Sequence, residues 1–261
     1  MEAKRSPNAP IAVLDSGVGG IGVLREVKRQ LPHEHLLYFG DSANAPYGER
    51  SRRELITLID AHAKRLLSKC KALVLACNTA TAVAADRLRA RYPTTPIIGM
   101  EPALKPALAV TPHPRVLVLA TETTLREEKF RALSVRFSTA TVLPVPAPGL
   151  VRLVEAGLAD SAESETYLRQ LLAPFADPAP DAAVLGCTHF PFAKGAIRRV
   201  LGDAIPLFDG AAGTAGELAR RLSAAGLLRP VASPGTVTLT SSDQAALPLY
   251  RRLWTQPRNT T

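Results

Sequence analysis

Short apolar runs alternate along the chain with longer amphipathic segments. The runs at 11–14 and 72–76 contain no charged residue, which is typical of strands that are buried on both faces. The segments at 21–30 and 52–68 have apolar residues three or four positions apart, which predicts amphipathic helices. Together the two patterns predict β/α units on parallel sheets. The predicted strands are 11–14, 36–39, 72–76, 97–98, 115–119, 141–143, 182–185, 207–208 and 236–239. The predicted helices are 21–30, 52–68, one ending near 91, a stretch after 124, 150–156, 163–172, 194–201 and 216–225.

The order of strands and polar turns occurs twice. The strand that ends at Asp15 has a counterpart 105 residues later at Ala120, and the strand before Cys77 has one 110 residues later before Cys187. This repeat predicts two similar parallel-sheet α/β domains related by pseudo-symmetry. We expect the first domain to comprise 1–98 plus 210–261 and the second to comprise 99–209. Because ligands of open α/β sheets bind at the carboxyl ends of strands, the active site is expected in the cleft between them.

Composition places the chain among ordinary globular proteins. It has 261 residues, of which 46% are hydrophobic and 21% charged, so bulk disorder is excluded. No uncharged apolar run approaches the roughly 18 residues that a membrane span needs. Residues 1–7 include two basic residues but precede no apolar segment of the kind found in secretory signals, and no two of the three cysteines form a C-x-x-C pair. We therefore expect a cytoplasmic protein with reduced thiols.

The net charge of +9 raises the question of an acidic partner. The basic residues are dispersed, and their short clusters alternate with apolar residues within predicted helices. This spacing favours solvated helix faces, and no nucleic-acid-binding motif accompanies it. We expect neither a nucleic-acid nor a membrane partner.

Two of the three cysteines lie where chemistry is expected. Cys77 and Cys187 each follow a predicted buried strand and precede a predicted helix. The free N–H groups at a helix N-terminus lower the pKa of a thiol and also bind carboxylates. Asn78, Thr79 and Thr188 add polar side chains that could cap these helices. Cys70 has no such polar company and is interpreted as a core residue.

Two kinds of thiol chemistry are possible at such a site. A cysteine hydrolase would pair Cys187 with His189 as base, but residues two apart at a strand end are not expected to face each other, and Cys77 would be left unused. A racemase uses two acid/base groups on opposite faces of its substrate: one removes the Cα proton and the other returns one. Two opposed thiols suit this reaction better.

No cofactor or metal is expected from the sequence. The glycines of DSGVGG at 15–20 resemble a phosphate-binding turn, but the G-x-G-x-x-G spacing of dinucleotide sites is absent. They more simply allow a tight strand-to-helix turn against a substrate. His33 and His35 have no further metal ligand near them in sequence.

Five short segments together resemble the motif series of bacterial glutamate racemases, over about residues 10–240. They are DSGVGG at 15–20, PYG at 46–48, CNTA at 77–80, T-x-x-T at 121–124 and GCTHFP at 186–191. The resemblance implies an isomerase that interconverts L-glutamate and D-glutamate with two cysteines and without pyridoxal phosphate or metal. It also implies homodimers and a supply of D-glutamate for peptidoglycan.

The resemblance implies a role for each matched residue. Cys187 would deprotonate L-glutamate and Cys77 would deprotonate D-glutamate. Asp15 would assist Cys77, His189 would assist Cys187, and Glu155 would support the histidine. The residues expected to bind substrate are Asp15, Ser16, Pro46, Tyr47, Gly48, Asn78, Thr79, Thr121, Thr124 and Thr188.

Two alternatives stay open at this point. The chain could be another racemase of the superfamily, such as an aspartate racemase, although His189 resembles the glutamate members and aspartate members usually carry Glu there. It could instead be a non-catalytic basic protein that binds an acidic partner. The presence of both Cys77 and Cys187 with polar neighbours argues against that reading.

Overall fold

The computed structural model describes residues 6–126, 139–231 and 233–257, and these form two parallel sheets. The first sheet has the strand order β4-β3-β1-β2-β9 and the second has the order β6-β5-β7-β8. The strands are β1 (Ile11–Asp15), β2 (Leu36–Gly40), β3 (Ala72–Leu75), β4 (Ile97–Gly99), β5 (Arg115–Ala120), β6 (Thr141–Pro146), β7 (Ala182–Leu185), β8 (Leu207–Asp209) and β9 (Val237–Ser241).

The two sheets repeat one topology. Reading β5–β8 in place of β1–β4 turns the order β4-β3-β1-β2 into β8-β7-β5-β6, which is the order of the second sheet. Strand β9 is an addition that pairs with β2 and returns the C-terminal part of the chain to the first sheet. The predicted fold class, two pseudo-symmetric parallel α/β units, is confirmed. The division into 1–98 plus 210–261 and 99–209 stays a prediction about folding units.

Ten helices are described beside the sheets. They are α1 (Ile21–Gln30), α2 (Arg52–Leu67), α3 (Asn78–Arg91), α4 (Leu104–Ala107), α5 (Glu122–Arg126), α6 (Pro148–Glu155), α7 (Ala162–Leu172), α8 (Lys194–Leu201), α9 (Ala211–Ala224) and α10 (Leu247–Thr255). Helix α2 begins with a capping box, in which Ser51 and Glu54 each accept a hydrogen bond from the other's backbone N–H. Within the described ranges, none of these helices combines the length and apolarity needed to cross a membrane.

The structure differs from the predicted elements mainly near the C-terminus. Helix α9 begins at Ala211, five residues before the predicted start at 216. Helix α10 was not predicted, although Tyr250 and Leu253 are buried three residues apart and Pro248 lies in its first turn, where proline fits a helix. The predicted stretch after 124 is seen as α5 up to Arg126, and its continuation lies outside the described residues.

The first sheet is covered on both faces. Side chains alternate along a strand, so Ile11 and Val13 pack with α1, α9 and α10, while Ala12 and Leu14 pack with α2 and α3. Strands buried in this way are necessarily apolar along their length. Polar side chains are therefore displaced to the strand ends, where the carboxyl ends of both sheets meet one cavity.

A substitution at Gly40, the last residue of β2, tests how tightly the carboxyl edge of the first sheet is packed. A Cβ there would lie 2.5 Å from the carbonyl oxygen of Gly17 and would overlap the hydroxyl of Tyr250. Gly40→Ala is expected to lower the free energy of unfolding in urea by about 2 kcal/mol, because backbone must move. The control is Gly213→Ala, at an open, exposed position of α9, where alanine should raise the free energy of unfolding by up to about 1 kcal/mol. Equal stability of the two variants would contradict this packing.

Candidate active site

A cavity of about 570 Å³ lies between the carboxyl ends of the two sheets. Both units contribute to it: Ser16 and Cys77 follow β1 and β3, while Thr121 and Cys187 follow β5 and β7. Nine residues proposed from the sequence line this space. They are Ser16, Pro46, Tyr47, Gly48, Cys77, Thr79, Thr121, Cys187 and His189.

Cys77 lies at the N-cap of α3 and is almost fully buried. Its sulfur is hydrogen-bonded by the backbone N–H of Ala80 and by Ser16, as expected at a helix N-terminus. Even so, the predicted lowering of its pKa is wrong. Burial raises the pKa of Cys77 to about 12, with further increases from the negative charges of Asp15 and Cys187, and these outweigh the two hydrogen bonds. Cys77 is therefore a protonated thiol at neutral pH.

Asp15 lies beside Cys77 and is completely buried. Burial raises the pKa of its carboxyl group, although the positive charge of His189 and the backbone N–H groups of Gly17 and Gly20 oppose the increase. The Gly17 N–H donates to Oδ2 at 3.0 Å, and the Thr188 hydroxyl donates to Oδ1 at 3.2 Å. Asp15 is thus held by the backbone turn of its own unit and by the Thr188 hydroxyl of the other unit.

Cys187 has different surroundings. A short 3-10 turn at Phe190–Ala193 follows it, and α8 begins only at Lys194, so the predicted adjacent helix N-terminus is wrong. The neighbour of the thiol is instead His189, whose Nδ1 lies 3.5 Å from Sγ. The expectation that these two residues would not face each other is also wrong, because the turn closed by the hydrogen bond from the Phe190 N–H to the Cys187 carbonyl brings the histidine back towards the sulfur.

His189 connects Cys187 to Glu155. Its Nε2 lies 2.5 Å from Oε1 of Glu155, at the end of α6. Burial opposes a charge on His189, but the neighbouring Cys187 and Glu155 outweigh it and raise the pKa of the imidazole well above its ordinary value. For Glu155, burial is outweighed by the hydrogen bond and charge of His189 and by the Val18 N–H, so its pKa is lowered. An imidazolium therefore lies between the carboxylate and the sulfur.

Glycines allow the two units to approach at this point. A Cβ on Gly17 would overlap the carboxylate of Glu155, and one on Gly19 would overlap the hydroxyl of Thr188. The Oε1 atom of Glu155 also accepts the N–H of Val18 at 3.0 Å. The DSGVGG turn therefore needs its glycines because it touches the opposite unit, in addition to turning the chain.

Threonines join the units on the other side of the cavity. The hydroxyls of Thr79 and Thr121 lie 3.0 Å apart, and those of Thr121 and Thr124 are also 3.0 Å apart. The other five residues proposed from the sequence are not among those that line this cavity. They are Asp15, Asn78, Thr124, Glu155 and Thr188.

Asn78 stands out among these because its amide is buried and unpaired. In the part of the chain that the structure describes, neither its Oδ1 nor its Nδ2 has a hydrogen-bond partner. A buried unpaired polar group costs about 1–3 kcal/mol, so such groups usually have a role. Its position directly after Cys77 places an acceptor and a donor next to the candidate acid/base group.

Sequence reasoning missed the charged mouth of the cavity. The additional lining residues are Glu49, Arg50, Ser51, Glu122, Thr123, Arg126, Pro148, Val151 and Arg152. Arg152 donates to Glu49 at 2.6 Å and so links α6 to the loop after β2. These residues belong to segments that look like ordinary solvated surface, and their sequence carries no signal that distinguishes them.

Glu155→Gln tests the charge arrangement around His189. A histidine whose folded pKa is raised contributes stability that is full below its ordinary pKa of 6.5 and is lost as pH rises through the folded value. Glu155, with a lowered pKa, contributes above 4.5 and loses this as pH falls through its folded value. The stability lost in Glu155→Gln should therefore be greatest between pH 4.5 and pH 6.5, where both contributions are present, and should decline at alkaline pH.

Urea unfolding at a series of pH values measures this difference, and the histidine NMR titration should show a lower pKa for His189 in the variant. Glu163→Gln, at an exposed carboxylate in the first turn of α7, is the control. A stability difference for Glu155→Gln that does not change with pH would contradict the ion pair.

Comparison with known proteins places this geometry in a family. Residues 19–218 match the family described as Asp/Glu/Hydantoin racemase. The glutamate racemase of Clostridium perfringens (strain SM101 / Type A) is 42% identical over 250 residues, which cover 94% of this chain and 96% of that protein.

Two solved structures have the same fold over nearly their whole length. Glutamate racemase from Francisella tularensis in complex with D-glutamate has a TM-score of 0.82 and 27% identity, with 97% of this chain and 96% of that chain covered. Escherichia coli glutamate racemase, in complex with L-glutamate and the activator UDP-MurNAc-ala, has a TM-score of 0.79 and 30% identity, with 94% and 95% covered. The chain belongs to the Asp/Glu racemase family, and within it to the glutamate racemases.

Proposed function

We propose that this protein interconverts L-glutamate and D-glutamate by moving the Cα proton between two thiols. The observation that carries the proposal is the arrangement of Cys77 and Cys187, which follow equivalent strands of two pseudo-symmetric units and line one cavity. Groups related in this way approach a ligand from opposite sides, as a two-base racemase requires. The cavity volume of about 570 Å³ suits a small molecule.

The surroundings of the two thiols suggest which one acts first on L-glutamate. Burial raises the pKa of Cys77 to about 12, so this thiol is assigned as the proton donor, and Cys187, with Nδ1 of His189 at 3.5 Å from its sulfur, is assigned as the base. With L-glutamate bound, the Cys187 thiolate removes the Cα proton, and the electron pair of the C–H bond passes into the substrate carboxylate. The Cys77 S–H then donates its proton to the opposite face of Cα, which gives D-glutamate.

The reverse reaction exchanges the two roles. After one turnover, Cys187 carries the proton and Cys77 is the thiolate, and this form removes the Cα proton of D-glutamate. Asp15 and His189 differ in charge, so the two half-sites stabilise their thiolates unequally. Return to the resting state requires a proton to pass from one thiol to the other, through the product or through water.

Hydrogen bonds to the substrate carboxylate must stabilise the carbanion, because a Cα proton is only weakly acidic. Asn78 offers an unpaired amide, and Ser16, Thr79 and Thr121 offer hydroxyls at the cavity wall. Tyr47 and Gly48 form the neighbouring part of the wall, with Pro46 before them. These groups are assigned to the carboxylates and the ammonium of glutamate.

A hydrolase is the second candidate, because Cys187, His189 and Glu155 are in the order of a nucleophile, a base and an orienting acid. This reading leaves Cys77 without a function. The two readings are separated by one variant, since loss of Cys77 would spare a hydrolase and stop a racemase.

We further propose that the enzyme acts in the cytoplasm as a homodimer, needs no cofactor or metal, and supplies D-glutamate for peptidoglycan. The family implies each of these properties. They are checked by sedimentation of the purified protein, by activity after exhaustive chelation, and by complementation of a D-glutamate auxotroph.

Proton exchange in D2O tests the racemase proposal directly. With L-glutamate or D-glutamate and no added cofactor, the Cα–H NMR signal and the optical rotation should both disappear. In Cys77→Ala and Cys187→Ala the racemisation rate should fall by a factor on the order of 10²–10⁴, the usual contribution of a general acid or base. Cys70→Ala, which removes a core thiol away from the cavity, is the control.

Each other outcome points to a different function. Exchange with aspartate but not glutamate would keep the mechanism and change the substrate. Full activity of Cys77→Ala on a thioester or amide would favour the hydrolase. Absence of exchange with every amino acid, together with salt-sensitive binding of acidic ligands, would favour the non-catalytic basic protein.

A further inference from the structure

A second buried polar cluster lies outside the reacting centre, around Asp41. This residue follows β2 directly and is completely buried. Its carboxylate accepts hydrogen bonds from the Tyr47 hydroxyl at 2.7 Å, from His62 Nε2 at 2.9 Å and from Asn44 Nδ2 at 3.0 Å. Its backbone N–H donates to the carbonyl of Asp15 at 2.9 Å. The cluster is therefore attached to the sheet edge that carries the active site.

The carboxylate of Asp41 is ionised and depends on these donors. Burial alone would raise its pKa, but the hydrogen bonds from His62, Asn44 and Tyr47 outweigh burial and hold the pKa well below its ordinary value. A buried charge that loses one donor is left partly unsatisfied, which costs more than an ordinary hydrogen bond. Loss of any one donor should therefore disturb the geometry of the others.

His62 is the donor that comes from a regular helix. It lies on α2, and its side chain is only 16% exposed. The imidazole packs against the ring of Phe39, with the centroids 4.8 Å apart, and the Arg65 guanidinium lies over the same ring. The ring is thus held by packing, and its Nε2 is directed at Asp41 by the helix.

Tyr47 and Asn44, in contrast, belong to the loop that Asp41 restrains. This loop, residues 42–51, contains two short 3-10 turns and forms one wall of the cavity, and it is called the wall loop below. The carbonyl of Gly48 accepts the Thr123 hydroxyl at 3.2 Å, and a Cβ on Gly48 would lie 3.0 Å from Thr121. The wall loop therefore touches the opposite unit, and a shift of the loop would change the shape of the cavity.

We propose that His62 is a positioning residue of the racemase, which through Asp41 and Tyr47 holds the wall loop against the opposite unit. The kinetic part of this inference rests on the proposed glutamate racemase activity. His62 is not one of the residues that line the cavity, and its ring nitrogen bonds to Asp41, so its effect is on substrate binding and on the position of the loop rather than on proton transfer. Glutamine can present an N–H at nearly the same reach, whereas leucine and asparagine cannot.

The steady-state test compares four variants in both reaction directions. His62→Leu and His62→Asn should raise KM roughly tenfold, the equivalent of one lost hydrogen bond to a charged group, with kcat within about twofold. His62→Gln should recover most of the wild-type KM. His113→Leu, at an exposed position, is the matched control. Unchanged KM in His62→Leu and His62→Asn, or an equal defect in His62→Gln, would overturn the proposal.

A second test shows whether His62 acts through Tyr47. In a double-mutant cycle, Tyr47→Phe combined with His62→Asn should raise KM little more than the larger single effect, because both changes break one chain of hydrogen bonds. Additive effects would overturn the proposed chain.

Amide hydrogen exchange without substrate separates this inference from the racemase activity. The peptide covering the wall loop should exchange faster in His62→Asn than in wild type, and His62→Gln should restore slow exchange. That result would support the positioning role even in a protein that does not racemise glutamate. Unchanged exchange of this peptide in a folded His62→Asn variant would contradict it.

Discussion

The carboxylate of Glu155 joins the two halves of the active site. One oxygen atom, Oε1, accepts the imidazole N–H of His189 and the backbone N–H of Val18. The first partner lies 3.5 Å from the sulfur of Cys187, and the second belongs to the turn that carries Asp15 and Ser16 next to Cys77. The position of each thiol is therefore tied to that of the other through a side chain that touches neither. The overlap that any Cβ on Gly17 would make with this carboxylate shows how closely the two units must approach.

Pseudo-symmetry of the fold does not extend to the electrostatics. The two thiols follow equivalent strands, yet Cys77 lies beside a buried carboxyl group and Cys187 lies beside an imidazolium. A strictly symmetric site would give both thiols the same neighbours. Here burial and Asp15 raise the pKa of Cys77, whereas the imidazole of His189 lies 3.5 Å from the sulfur of Cys187. The two thiols are therefore distinguished by their surroundings before substrate binds.

The apolar runs were sufficient to predict the strands, the repeat and the position of both thiols, because each depends on local pattern. What could not be predicted depends on contacts between distant parts of the chain. Burial depends on the whole fold, and it raises the pKa of Cys77 even though the helix N-terminus favours the thiolate. The 3-10 turn at Phe190–Ala193 had one local signal, Pro191 in its first turn, but nothing local shows that the turn before it brings His189 back to the sulfur of Cys187. Asp41 and His62 are 21 residues apart and meet only because α2 packs on β2.

The contacts between the two units beside the cavity differ in strength. The Arg152–Glu49 pair at the mouth is exposed on both sides, so it contributes about 0.2–1 kcal/mol at most and is screened by salt. The hydroxyl contacts between Thr79 and Thr121 and from Thr123 to Gly48 are neutral hydrogen bonds, each worth about 1 kcal/mol. These three contacts together contribute only a few kcal/mol, whereas separation on the side of Glu155 would break the pair of a partly buried carboxylate with a buried imidazolium. The contacts at Glu155 therefore hold His189 and the DSGVGG turn together more firmly than the threonine contacts hold the wall loop to the opposite unit.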